Sequence, residues 1–139
     1  MTRDRQRTDG EGLIMTNVIF DKRDQLDKIT VGLLQGETIV AVYDATGGST
    51  GFIGLTNTRV IIQDNSFVGK QAAVTSIPYS RIKSVSYVSD KNVFGKFASS
   101  STVAIDTGGK TYEVRFRGEE KAVHAHNVIL WNMLQLSGR

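Results

Sequence analysis

The chain has no cysteine, one proline, one tryptophan and two histidines among its 139 residues. Without cysteine there is no disulfide, no thiolate nucleophile and no thiolate metal ligand. His124 and His126 stand two apart in a segment with helical periodicity, so about 200° separates them around the axis. They cannot share a metal ion or act as an i, i+4 pair. No run approaches the roughly 20 apolar residues of a membrane-spanning helix, and the N-terminal residues lack the apolar stretch of a secretion signal. These absences point to a cytoplasmic protein with no metal, no cofactor and no catalytic group.

Two glycine motifs are excluded on context. Gly47-Gly48-Ser49-Thr50-Gly51 has the G-x-S-x-G spacing of a nucleophile elbow, but that motif joins a strand to a helix, and here the run leads into another strand. As a phosphate loop it lacks a following helix N-terminus and a lysine. Charge is also spread thinly. Residues 1–50 carry six Lys and Arg against eight Asp and Glu, residues 51–117 nine against four, and residues 118–139 two against two. The cations of the middle part (Arg59, Lys70, Arg81, Lys83, Lys91, Lys96, Lys110, Arg115, Arg117) never stand three in a row, unlike a nucleic-acid stripe. Solvated strand faces and lysine-protected sheet edges account for them, and no nucleic-acid partner is expected.

What is present is a β-rich pattern. At 40% hydrophobic and 22% charged the composition suits one globular domain, with residues 1–20 a flexible segment and 21–136 the domain. From Asp21 the residues Leu26, Ile29, Leu33 and Leu34 share a helical face, which Gly36 closes. Residues 37–43 are β-branched and aromatic on both faces, predicting a strand covered on two sides. Apolar runs at 52–55 and 60–62 flank Thr56-Asn57-Thr58-Arg59, a tight hairpin in which Asn57 is expected to take positive φ. A third run, 72–77, is stopped by Pro78. Residues 81–89 predict a strand with Ile82, Val85 and Tyr87 inward and a bulge between Ile82 and Val85. Residues 102–106 and 111–117 form a hairpin about Thr107-Gly108-Gly109-Lys110, with Tyr112, Val114 and Phe116 on its buried face. Glu119-Glu120 open a final helix with an apolar stripe of Val123, Ile129, Leu130, Met133 and Leu134. Trp131 is either an anchor or an exposed contact. Seven antiparallel strands rolled into a partly open barrel, one end plugged by the last helix, satisfy this pattern.

The order Leu55-Thr56-Asn57-Thr58-Arg59, then Gly69-Lys70, then Ser76-Ile77-Pro78-Tyr79-Ser80-Arg81-Ile82, preceded by a helix and Gly36-Glu37, resembles the bacterial pleckstrin-homology-like domain family over roughly residues 23 to 136. Thr58 and Gln71 stand where the family often has lysine. The resemblance implies the same mainly β architecture, seven-stranded with a C-terminal helix and an extra N-terminal one, and a capacity for self-association into rings. It makes the protein a non-enzymatic interaction module whose partner is itself or another protein. Leu26, Ile29 and Trp131 are the expected interface residues. Thr56, Asn57, Arg59, Gly69, Lys70, Pro78 and Tyr79 are the fold signature. The alternative is a peripheral binder of anionic membrane surfaces through Lys91, Phe94, Lys96 and Phe97. The 44–51 loop, without Lys or Arg, disfavours a specific phosphoinositide site.

Overall fold

Strands around Val42, Ile53 and Val60 are apolar on both faces, and the architecture follows from the need to cover each face. The computed structural model describes residues 17–46, 51–65, 72–91 and 98–137. In chain order these form β1 (Ile19–Phe20), α1 (Arg23–Val31), β2 (Ile39–Ala45), β3 (Gly51–Thr56), β4 (Arg59–Asp64), β5 (Ala73–Pro78), a 3-10 turn (Tyr79–Arg81), β6 (Ser84–Lys91), β7 (Ala98–Asp106), β8 (Thr111–Phe116) and α2 (Glu119–Ser137). One sheet runs β1-β2-β3-β4-β5 and the other β6-β7-β8. All pairings are antiparallel except β1 with β2.

The sheets meet where Thr46 N–H donates to Arg115 O at 2.8 Å. On the opposite side β5 and β6 diverge from the 3-10 turn without pairing, so the barrel is partly open. Its interior holds Ala41, Tyr43, Ile53, Leu55, Val60, Ile77, Val103, Ile105 and Phe116, and α2 seals it with Ala122, Ala125 and Ile129. A second core lies on the outer face of the five-stranded sheet, where α1 packs Leu26 and Ile29 on Ile39, Val42, Phe52 and Ile61. A register shift between Ile39 and Ala41 lets Ile39 join Val42 on that outer side while Ala41 and Tyr43 point inward.

Several local expectations are revised. Residues 17–20, read as part of a flexible segment, are in place: Val18 is buried and Ile19–Phe20 pair with β2. Helix α1 ends at Val31, and Gly36, φ +81°, sits in the following turn, where Glu37 N–H donates to Leu34 O at 3.0 Å. The change of phase after Ile82 comes from the 3-10 turn and not from a bulge, and Tyr87 is exposed against the ring of His126. Asn57 does not take positive φ, which among the described residues only glycines adopt. Thr56 Oγ1 accepts the N–H groups of Thr58 and Arg59 at 3.1 and 3.0 Å instead, and this side-chain turn replaces the left-handed one. In α2 the buried stripe is Ala122, Ala125 and Ile129, while Leu134 is exposed. Small alanines bring the helix close to the strands, and the larger residues fall to the sides.

Candidate interaction surface

Thr56 and Arg59 of the signature converge on one carboxylate. Glu37 leaves the turn after α1 and reaches the β3–β4 hairpin, where its side chain is 1% exposed. Oε1 accepts from Leu34 N–H and Arg59 Nη2, both at 2.9 Å. Oε2 accepts from Thr56 Oγ1 at 2.7 Å, Arg59 Nε at 2.8 Å and Thr58 Oγ1 at 2.9 Å. Arg59 thus grips the carboxylate bidentately and extends to Ser76 Oγ and Gly32 O, each at 2.9 Å. Asn57 clips the lead-in to β2: its N–H donates to Thr38 O at 3.0 Å, and its Oδ1 accepts Thr38 N–H at 2.9 Å. Tyr79 Oη donates to Thr56 O at 2.7 Å in a buried contact.

Burial alone would raise the carboxyl of Glu37, but the hydrogen bonds from Arg59, Leu34 N–H, Thr56 and Thr58 outweigh it and hold it at about 2. The bond to Glu37 pushes Arg59 upward despite burial, and burial followed by the charge of Glu37 pushes Tyr79 upward. These groups saturate one another. They fasten the C-terminal end of α1, the lead-in to β2, the hairpin and β5 together.

The histidines point apart. His124 Nδ1 lies 2.6 Å from Tyr43 Oη, whereas His126 stacks edge-on against Tyr87 at 5.2 Å between centroids. Burial, then the charges of Asp21 and Glu120, raise Tyr43. Asp21, just before α1, links α2 to β2, accepting Asp44 N–H at 2.9 Å and pairing with Lys121 at 3.0 Å.

Exposed apolar side chains also lie on α2. Trp131 is 63% exposed, with Leu134 and Leu136 exposed beyond it. Two hollows flank this face, of about 360 Å³ and about 340 Å³, and both are lined by Asn57 and Asn132. Val40, Asn127, Val128 and Trp131 complete the first, and Pro78, Tyr79, Gln135 and Leu136 help to line the second. Among the described residues no charged one lines either hollow. The structure therefore brings Asn57 of the signature beside Trp131, and Pro78 and Tyr79 beside Gln135 and Leu136, a neighbourhood that sequence reasoning missed. The spacing 127, 128, 131, 132, 135 marks one helical face, but not what that face borders.

The other expected interface residues are not on the surface. Leu26 and Ile29 are 1% and 4% exposed, because α1 docks where β3 has Gly54. A Cβ there would stand 2.8 Å from Ile29 Cδ1. Phe94, Lys96, Phe97, Gly69 and Lys70, and the side chain of Lys91, lie outside the described residues.

A family model described as Bacterial PH domain matches residues 21–130. Among solved structures the fold is similar to a pleckstrin homology domain from Shewanella amazonensis, at 18% identity and a TM-score of 0.60, covering 82% of this chain and 99% of that one. A pleckstrin-homology protein from Shewanella loihica matches at 17% identity and 0.56, covering 81% and 94%. The hSac2 domain of the human phosphoinositide phosphatase Sac2 matches at 9% identity and 0.56, covering 94% and 86%. No curated protein matches the sequence.

Proposed function

The chain belongs to the bacterial PH domain family, and from that premise we propose that it is a non-enzymatic module acting through protein–protein contact and self-association. The interface is the outer face of α2 around Trp131. The observation that carries this reading is the 63% exposure of the single tryptophan, with Leu134 exposed one turn further along the same helix. Indole rings are among the strongest anchors of protein interfaces, and Leu134, one turn further on, extends the exposed apolar surface on the same side of the helix. The uncharged hollows beside Trp131 supply depressions for a facing side chain.

Light scattering after size exclusion, at low and at high salt, tests the proposal. A discrete multiple of the 15.2 kDa chain mass should persist in salt, and Trp131→Ala should reduce it to the single-chain value. A monomer at every salt concentration overturns self-association. An assembly that survives Trp131→Ala moves the interface away from α2, and one that falls apart in salt transfers the contact to the basic β region.

A further inference from the structure

Strand β5 is the last of its sheet, and among the described residues nothing pairs with its outer edge. Natural edges are usually blunted by lysine, proline or a bulge. Here Ala73-Val74-Thr75-Ser76-Ile77 carries no charge, the proline comes only at its end, and the register with β4 runs unbroken from Arg59–Pro78 to Asp64–Ala73. Alternate residues of such a strand turn their main-chain N–H and C=O groups outward. Water can satisfy them, and so can another extended chain.

Beside this edge, on the outer face of the sheet, a hollow of about 230 Å³ opens between α1 and β4–β5. Ile29, Phe52 and Ile61 line it, together with Val74 and Ser76 of the edge strand, and its cations are Lys28 and Arg59. Glu37 neutralises Arg59. Among the described residues the Lys28 ammonium has no ion-pair or hydrogen-bond partner, and no acidic side chain lines the hollow. A strand added about 4.8 Å beyond β5 places its outward side chains about 5 Å, between Cβ atoms, from those of Val74 and Ser76. From there a long side chain reaches the hollow.

We propose that the outer edge of β5 accepts an extended segment of a partner protein by strand addition, an apolar side chain lying over Val74 and an acidic one directed at Lys28. Charge selects this occupant over a second copy. Pairing β5 with β5 would set two cation-bearing, acid-free hollows side by side, whereas an acidic strand supplies the missing sign. The hollow under the edge shares no lining residue with those beside α2, so the proposal goes beyond the self-association surface.

The probe is a phage-displayed library of random nine-residue peptides selected on the full chain, with the enriched peptides then measured by fluorescence anisotropy. Enriched sequences should combine β-branched residues with an acid, and on binding they should slow amide exchange within residues 73–77. Lys28→Glu should weaken binding by about tenfold, since it replaces an attraction with a repulsion, and Val74→Lys should weaken it by at least as much. Both positions are exposed, and an unchanged melting temperature confirms that the variants fold. Trp131→Ala should leave peptide binding intact, and Val74→Lys should leave the solution mass intact, so failure of either surface is visible by itself. The proposal is overturned by a selection that enriches nothing, or by peptides indifferent to Val74→Lys that leave the amides of residues 73–77 unprotected.

Discussion

At the scale of single residues, Glu37 is the most consequential side chain. An ordinary glutamate titrates near 4.5 and this one at about 2, a gap corresponding to about 3 kcal/mol. The folded value lies below the unfolded one, so the contribution is complete above pH 4.5 and is lost as the pH falls through 2. Chemical denaturation across that range should show the decline, and Glu37→Gln should flatten it. At pH 7 the same variant leaves a half-buried guanidinium without its counter-charge and should lower stability by about 3 kcal/mol. A loss below about 1 kcal/mol would mean that the pair is dispensable. Tyr79→Phe removes one buried bond to Thr56 O and should cost about 1 to 2 kcal/mol, read from the same melts.

At the scale of elements, α1 is held by shape. Ile29 occupies the space that a side chain at position 54 would need, so Gly54→Val should push the helix off the sheet. Amide exchange should quicken over residues 23–31 while β6–β8 remain protected; equal quickening in both places would mean that the two cores are one cooperative unit. Leu26→Ala, inside the same core, should cost about 3 kcal/mol. The strands were legible in the sequence because period-two alternation and hairpin glycines are local signals, as with Tyr112, Val114 and Phe116. The features missed were not local. Helix α1 shows an apolar face whether it covers a sheet or meets a partner, and only the missing Cβ of Gly54, some 25 positions away, decides between them. The burial of Ala122 and Ala125 depends on how closely α2 approaches strands that periodicity does not see. The signature was visible as a set, but its centre was not, because the donors to Glu37 from the hairpin lie 19 to 22 residues downstream.

At the scale of the whole molecule, distant segments are tied across the barrel. Thr46 meets Arg115, and Tyr43 meets His124 across 81 positions. Trp131 takes no part in these ties, so Trp131→Ala should leave the melting temperature within about 2 °C of the parent while changing the solution mass; a large thermal loss would reassign the ring to structure. The position of α2 as the seal has a consequence during synthesis. It is the last of the described elements to leave the ribosome, so Val60, Ile77, Val103 and Phe116 face water until its residues arrive. The α1 core needs nothing after Ile61 and can assemble while translation continues. The nascent domain thus passes through a stage with one finished core and one unroofed core, and that is the interval in which a chaperone would find its binding surface.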